Sequence, residues 1–161
     1  MDAAVVTTTL GRGELRQCVE AIDAQTFPVT HYILCDASIS RERFGELEGR
    51  YSSGRRLLCY WPTRIGGPHL EGRRLFAAAP FLVNEEVTFF CNDDDWYKPD
   101  HVESLMGLIE RGRDWAYSLR SIYEKDGTFL FDDQCEALGE LHECWNVANH
   151  HFVDLNMWAM R

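Results

Sequence analysis

The stretch VTFFCNDDDWYKPD, residues 87–100, joins an uninterrupted apolar run to three adjacent carboxylates. Residues 87–91 have the length and the β-branched and aromatic content of a strand buried on both faces of a sheet. Asp93, Asp94 and Asp95 follow that strand and repel one another unless water or a cation neutralises them. A divalent cation such as Mg²⁺ prefers carboxylate and phosphate oxygens. The stretch therefore predicts either a cation site at a strand end or a solvated turn that caps the next helix.

The composition predicts one folded domain that covers residues 1–161. Hydrophobic residues make up 45% of the chain and charged residues 26%, which argues against disorder. The formal net charge of −10 disfavours nonspecific binding to nucleic acid or to anionic membranes. An anionic substrate would therefore need a metal ion or arginines placed locally.

The cysteines and the first residues predict where the protein resides. The six cysteines are widely spaced and form no Cys-x-x-Cys pair, which favours reduced core thiols over a disulfide framework or a zinc site. Residues 1–6 lack the basic and apolar regions of a signal peptide. No apolar run approaches the ~18 residues of a membrane span. We therefore expect a cytoplasmic protein without a membrane span.

Strand and helix patterns alternate along the chain. We predict strands at residues 3–9, 31–35, 56–61 and 87–91, and helices at residues 14–24, 41–51 and 70–79. This βαβαβαβ order favours an α/β fold with a doubly wound, mostly parallel sheet. A further helix is predicted from Pro99, at its first position, to Gly112. Residues 115–123 and 128–131 are predicted to be two strands joined around Asp126-Gly127, and residues 151–159 are again typical of a strand.

Asp36 is a second acidic residue at a predicted strand end. It follows the strand at residues 31–35 and precedes Ala37 and Ser38. Side chains at the carboxyl ends of parallel strands face the crevice in which open α/β sheets bind nucleotides. An Asp that only caps the following helix has the same sequence pattern, so both interpretations stay open.

The motif at residues 89–100 resembles that of glycosyltransferases with the GT-A fold, in the large inverting group related to family 2. Members of that group have an apolar strand, two to four acidic residues, an aromatic pair and Pro-Asp before a helix. The resemblance implies a Rossmann-like fold of the nucleotide-diphospho-sugar transferase type. It also implies metal-dependent transfer of a sugar from a nucleotide-diphosphate donor to an acceptor hydroxyl.

The resemblance implies a cation site for Mn²⁺ or Mg²⁺ on the three aspartates. The position that is often the first acidic residue of the signature is Asn92 here. Asp93 and Asp95 fit the Asp-x-Asp spacing, whereas Asp94 aligns with the principal metal ligand of the family. All three aspartates are therefore candidate metal ligands.

Nucleotide contacts are also implied by the resemblance. Six residues besides Asp93 correspond to family positions that contact the base or the phosphates of the donor: Thr7, Thr8, Thr9, Asp36, Arg73 and Arg74. The threonines end the first strand, at positions where the backbone of family members contacts the nucleobase. Asp36 corresponds to a position whose side chain hydrogen-bonds the base in family members. Arg73 or Arg74 corresponds to a cation that faces the nucleotide. A UDP-sugar is the favoured donor, and the implied acceptor is a glycan or a lipid-linked molecule.

An inverting transferase also needs a general base, an Asp or Glu that takes the proton of the acceptor hydroxyl. In the family this base lies in an acidic pair after a Gly-rich turn, and the sequence up to Arg161 contains no such turn. We expect either a C-terminally truncated form or a minimal form whose base is Asp132, Asp133, Glu143 or Asp154. Glu143 and Asp154 are the catalytic candidates that we retain.

A second group of polar residues lies near the end of the chain: His142, Glu143, Cys144, His150 and His151. It lacks both the His-Glu-x-x-His pattern and the compact spacing of four zinc ligands, which favours surface or packed histidines. One of these histidines completing a metal shell is the alternative.

Two other functions stay open at this point. One is a nucleotide-sugar-binding module or fragment without turnover, and the other is a metal-dependent phosphoryl or nucleotidyl enzyme with acidic strand ends. Against the latter, the sequence contains no Gly-rich loop followed by Lys and Ser or Thr that would cradle phosphates. Strands after Trp115 that are exposed at an edge would allow a homo-oligomer.

Overall fold

A computed structural model describes residues 1–65, 72–133 and 155–161 of the chain. Its strands are β1 (Ala3–Thr8), β2 (Val29–Asp36), β3 (Arg56–Trp61), β4 (Val87–Phe90), β5 (Trp115–Tyr117), β6 (Arg120–Tyr123), β7 (Phe129–Asp133) and β8 (Trp158–Met160). Its α-helices are α1 (Leu15–Asp23), α2 (Arg41–Tyr51), α3 (Arg73–Ala78) and α4 (His101–Ile109). Short 3-10 helices lie at Ala79–Phe81 and Leu155–Met157.

The central sheet of the described part has six strands in the order β3-β2-β1-β4-β8-β5. The first four are parallel, and Ala3 at the start of β1 lies opposite both Val29 and Val87. Only β8 runs antiparallel to its neighbours, β4 and β5. The expected α/β fold with a mostly parallel sheet is confirmed.

Helices cover both faces of the sheet because the central strands are apolar on both sides. Every residue of β1 and β4 is buried. On one face, Val5 and Phe89 pack with residues of α1 and α4 such as Ile22 and Val102. On the other face, residues of α3 pack against β1 and β4, and the rings of Phe76 and Phe90 meet edge to face with centroids 5.9 Å apart. Because these strands are parallel, their carboxyl ends all lie at the same edge of the sheet, between the helical layers.

Residues 115–123, predicted as one strand, are two strands in different sheets, so this prediction is wrong. β5 joins the central sheet through β8, whereas β6 pairs with β7 in a separate two-stranded sheet. The backbone changes sheets at Ser118, whose amide donates a 3.1 Å hydrogen bond to the carbonyl of Met157. The predicted turn at Asp126-Gly127 is confirmed, since Gly127 has a φ of 87° and donates to the Glu124 carbonyl.

The helix after the aspartates begins later than predicted. α4 starts at His101, with Asp100 at its N-cap position, and Pro99 precedes it. The Pro99 carbonyl accepts a 2.9 Å hydrogen bond from the amide of Thr26, in the loop after α1. This contact holds Pro99 in the connecting loop, outside the helix.

Four of the six cysteines lie in the described ranges, and all four are free thiols. The Sγ atoms of Cys18 and Cys91 lie 3.8 Å apart in the core, and their contact together with burial raises the pKa of the Cys91 thiol. Cys135 and Cys144 lie outside the described residues. Among the described helices, none is both long and apolar enough to cross a membrane.

Two buried histidines make the native state sensitive to acid. Burial lowers the pKa of His31 on β2 to about 3, with a smaller contribution from Arg56, and burial lowers the pKa of His101 to about 4. Unfolding returns both to about 6.5. The unfolded chain therefore binds more protons below pH 6.5, so stability is complete above that pH and is lost as the pH falls towards 4.

We expect the free energy of unfolding to fall between pH 6 and pH 4 by up to about 2.7 kcal/mol per pH unit from these two histidines. Urea unfolding at pH 7, 6, 5 and 4.5 measures this slope. His101→Phe keeps an aromatic ring against Tyr97, on which His101 stacks at 4.0 Å, and should flatten the slope by about half. An unchanged slope in this variant would contradict the assignment.

Candidate functional site

Acidic and hydroxyl side chains meet at the edge formed by the carboxyl ends of β1, β2 and β4. Thr9 follows β1, Asp36 ends β2, and Asp93 lies three residues after the last residue of β4. These side chains are almost inaccessible to solvent, with residue exposures of 6% for Thr9, 5% for Asp36 and 1% for Asp93. Buried carboxylates require partners, and their partners define the geometry of this edge.

Asp93 is held by an arginine that the sequence did not single out. The Arg12 guanidinium contacts both carboxylate oxygens of Asp93, with Nη2 on Oδ1 and Nε 3.4 Å from Oδ2. The hydroxyl of Thr9 donates a 2.6 Å hydrogen bond to Oδ2 of the same carboxylate. The hydrogen bond to Asp93 raises the pKa of Arg12, so its positive charge is permanent. Asp93 is therefore neutralised by the chain itself.

The loop that carries Arg12 is fixed by contacts on both sides. The amide of Gly11 donates to Thr9 Oγ1 at 2.8 Å, and Arg43 Nη2 on α2 donates to the Gly11 carbonyl at 2.7 Å. Gly11 has a φ of 74°, and a Cβ there would lie 3.0 Å from Leu47 Cδ1, so glycine suits this turn. The Gly-Arg-Gly sequence at residues 11–13, shortly after the first strand, was the only sequence signal for this arginine.

Asp94 and Asp95 lie on the solvent side of Asp93 and are exposed. Arg12 Nη1 lies 3.3 Å from Asp94 Oδ2, so one guanidinium spans two carboxylates. Asp95 Oδ2 accepts a 3.3 Å hydrogen bond from Asn92 Nδ2, in the position that is often acidic in the family. Three adjacent carboxylates thus lie after one strand, and Arg12 contacts two of them.

Asp36 has a structural role in addition to any ligand contact. Its Oδ1 accepts from the amide of Ser38 and its Oδ2 from the amide of Ile65, each at 2.8 Å. The carboxylate thus joins the turn after β2 to the segment after β3.

The predicted threonines face in different directions. Thr7 Oγ1 lies in the core, 3.0 Å from His31 Nε2 and 3.6 Å from Cys18 Sγ, so only the Thr7 backbone is near the edge. Thr8 packs beneath Gly72, where a Cβ would lie 2.5 Å from Thr8 Oγ1. Thr9 alone reaches the acidic group with its side chain.

Arg73 and Arg74 are exposed on the first turn of α3, directly after Gly72. Because Gly72 touches Thr8, this turn lies beside the carboxyl end of β1. The two arginines are therefore near the edge that carries Asp93, while Arg12 is the arginine that contacts Asp93 and Asp94.

The candidate bases have different surroundings. Asp133 is buried and pairs with Arg120 at 3.0 Å, whereas Asp132 is exposed and accepts a 2.6 Å hydrogen bond from Ser121. Glu143 and Asp154 lie outside the described residues, as do His142, Cys144, His150 and His151. The chain returns to the site at Asn156, another residue that the sequence did not single out.

Asn156 ties the last described segment to the acidic edge. Its Oδ1 accepts a 2.6 Å hydrogen bond from the amide of Asn92, directly before the three aspartates. The segment that contains Asn156 continues into β8, which pairs with β4. Residues near position 156 are thus brought to the same edge as the aspartates.

Aromatic side chains form one side of the acidic edge. Trp96 follows Asp95, is 38% exposed and packs on Tyr123 of β6 with centroids 5.3 Å apart. Tyr123 in turn meets Phe129 of β7 edge to face at 5.5 Å. Lys98 Nζ also donates to Ser121 Oγ at 3.0 Å. These contacts attach the two-stranded sheet to the segment that follows the aspartates.

Asp94 and Asp95 suit a hard divalent cation by their chemistry, since both are exposed carboxylates. In the described ranges, no group of three or more His, Cys, Asp or Glu side chains is arranged to hold a metal ion. Mg²⁺ is commonly bound by one or two carboxylates together with substrate phosphates, so two protein ligands suffice when a diphosphate supplies the others. The residues therefore fit a cation that binds together with its substrate.

The described residues thus form an α/β protein with a mostly parallel sheet of the Rossmann type. The chain is similar in structure to TarS of S. aureus, with a TM-score of 0.54 and 16% identity over 69% of this chain and 20% of that one. Against TarS residues 1–349, the TM-score is 0.54 and the identity 17%, over 71% of this chain and 34% of that one. The chain thus spans 20% and 34% of these two structures.

A third similar structure is 4-diphosphocytidyl-2C-methyl-D-erythritol synthase from Anaerococcus prevotii. Its TM-score is 0.54 and its identity 10%, over 99% of this chain and 69% of that one. No family model and no curated protein matches the sequence. Identities this low define the fold, and function must be argued from the site itself.

Proposed function

We propose that the chain binds a nucleotide-diphosphate sugar and transfers the sugar to an acceptor hydroxyl. The observation that carries the proposal is that Asp36 and the aspartates at 93–95 lie at the same edge, after two strands separated only by β1. Strand spacing puts β2 and β4 about 10 Å apart, a distance that a ribose and its diphosphate bridge. One end of the site would hold the base and the other the phosphates.

Each residue at the edge has a role in this proposal. Asp36 accepts a hydrogen bond from the base, which favours a UDP-sugar, and the backbone at Thr8 and Thr9 borders the base. Asp94 and Asp95 bind Mn²⁺ or Mg²⁺ together with the diphosphate. When bound, that cation stabilises the negative charge that develops on the leaving diphosphate.

The remaining roles concern the phosphates and the acceptor. Arg73 and Arg74 are exposed cations beside the crevice and would add positive charge near the diphosphate. Asp93, neutralised by Arg12, fixes the position of the two outer carboxylates. The proton of the acceptor hydroxyl would pass to a carboxylate, for which Glu143 and Asp154 remain our candidates, and the acceptor would be a glycan or a lipid-linked molecule.

Nucleotidyl transfer is a second candidate, because the synthase structure is matched over 99% of this chain. The two reactions differ in their leaving group: a sugar transferase releases a nucleoside diphosphate, whereas a nucleotidyl transferase releases pyrophosphate from a nucleoside triphosphate. The same strand-end carboxylates and cation would serve both reactions.

Product release separates the candidates. The protein is incubated with Mn²⁺ and either UDP- and GDP-hexoses or CTP and UTP with a sugar phosphate that can accept the nucleotidyl group, and released diphosphate and pyrophosphate are measured separately. We expect release of UDP or GDP. Without an acceptor the release should be slow, through hydrolysis of the nucleotide sugar, and an added glycan acceptor should make it faster. Pyrophosphate release alone would support the second candidate, and binding without either product would indicate a nucleotide-sugar-binding module.

The base-binding role of Asp36 gives a separate prediction. Asp36→Ala should weaken binding of UDP about tenfold while binding of inorganic pyrophosphate with Mn²⁺ changes less than about twofold. Calorimetric titration with both ligands measures the difference, and thermal unfolding checks the loss of the two loop contacts. Equal losses for UDP and pyrophosphate would show that Asp36 acts only through the structure of the loops.

A further inference from the structure

Arg12 contacts its two carboxylates unequally. Nε and Nη2 hold Asp93, whose side chain is 2% exposed, whereas Nη1 lies 3.3 Å from Asp94, whose side chain is 47% exposed. The Arg12 side chain is itself 51% exposed. The bond to Asp93 is therefore the anchored side of the guanidinium, and the contact with Asp94 is the side that can exchange.

Arg12 and a divalent cation would also use the same carboxylate. Asp94 is the carboxylate that we propose as a principal cation ligand, and its Oδ2 is the atom that Arg12 contacts. Two positive groups at one carboxylate repel each other, and this repulsion is strong where the surroundings are partly desolvated. Phosphate oxygens relieve that repulsion, because guanidinium groups bind them through parallel N–H donors.

We propose that Arg12 and a divalent cation are alternative counter-ions of Asp94, and that Arg12 Nη1 exchanges Asp94 for the diphosphate of the donor. This inference rests on the proposed nucleotide-sugar site. Arg12 stays anchored to Asp93 throughout, so the loop at Gly11 keeps its position. Arg12 thus opposes binding of the cation alone and favours binding of the cation with its diphosphate, which makes cation and donor binding mutually dependent.

The test measures Mn²⁺ binding without nucleotide, by electron paramagnetic resonance of unbound Mn²⁺, and then UDP binding at saturating Mn²⁺. Arg12→Gln should bind Mn²⁺ alone about tenfold more tightly, since one like charge is removed beside the site. The same variant should bind UDP with Mn²⁺ about tenfold more weakly, because a phosphate contact is lost. A purely structural role would weaken both.

Two further variants make the result specific. Arg12→Lys keeps the positive charge but lacks the parallel N–H donors of the guanidinium group. Its affinity for Mn²⁺ alone should therefore stay near that of the wild type, while its affinity for UDP falls. Arg16→Gln removes an exposed arginine that pairs with Glu20 on α1 and should change neither affinity.

Unchanged or weaker binding of Mn²⁺ alone by Arg12→Gln would overturn the inference, as would an absence of Mn²⁺ binding in every variant. Tighter Mn²⁺ binding with unchanged UDP affinity would overturn the exchange with the diphosphate. Failure of the proposed function has a different signature: wild-type protein that binds no nucleotide at saturating Mn²⁺, whatever the variants do with Mn²⁺ alone.

Discussion

Replacing Asp94 by alanine is expected to abolish the metal-dependent part of nucleoside diphosphate binding, a loss of about 100-fold, or about 2.7 kcal/mol. Asp94 is exposed at the end of β4, and in the proposed site it shares the cation with Asp95 and the diphosphate. With two protein ligands for the cation, the loss of one leaves too few to hold it. Calorimetric titration of UDP with and without Mn²⁺ measures the effect.

Asp114→Ala is the matched control for Asp94→Ala. Asp114 is an exposed carboxylate directly before β5, which runs in the same direction as β4, so it lies at the opposite edge of the sheet. Both variants change the net charge by the same amount, and only Asp94→Ala should lose binding. Equal UDP affinities of Asp94→Ala and wild type in Mn²⁺ would reject the assignment of Asp94.

The second large effect is on stability and concerns the neighbouring residue. Asp93→Ala should lower the free energy of unfolding by about 2–4 kcal/mol. Asp93 is 1% exposed, and its removal leaves the Thr9 hydroxyl without this acceptor and leaves Arg12 with its contact to Asp94. Because Arg12 is half exposed, water recovers part of this cost. Urea unfolding at pH 7 is the appropriate measurement.

Asp94→Ala is the control for stability. Its pair with Arg12 is exposed on both sides, so it should cost less than about 1 kcal/mol. Asp93 is thus predicted to support the structure and Asp94 to support binding, although the two residues are adjacent and chemically identical. If both substitutions cost the same stability, the distinction between an inner and an outer aspartate is wrong.

The central strands could be predicted well because their burial is reflected in the composition of each strand itself. β1 and β4 are continuous apolar runs, and such runs are typical of strands covered on both faces. The helix α2 was predicted with its observed limits, Arg41–Tyr51, and in the structure the Ser40 side chain caps it by accepting from the Arg43 amide. Local composition was sufficient to predict these elements.

The division between β5 and β6 depends on distant residues. β5 joins the central sheet only through β8, whose residues lie about forty positions later in the chain, as the pair Ala116 and Ala159 shows. The alternation of residues 115–123 contains no sign of that partner. The break between two consecutive strands that join different sheets can therefore be recognised only when the strand pairing is known.

Long-range contacts also explain what the sequence could not reveal about the site. Arg12 and Asp93 are 81 positions apart, and Asp36 contacts the amide of Ile65, 29 positions away. The sequence identified carboxylates at strand ends but not which of them the chain neutralises. Structure assigns Asp93 to an internal ion pair and leaves Asp94 and Asp95 exposed towards solvent.

The most direct test of the proposed nucleotide-sugar site is calorimetric titration of the wild-type protein with UDP, GDP and CDP, each with and without Mn²⁺. We predict that one nucleoside diphosphate, with UDP favoured, binds in the presence of Mn²⁺ and at least about tenfold more weakly without it. Absence of binding by all three diphosphates in the presence of Mn²⁺ would contradict the proposed site.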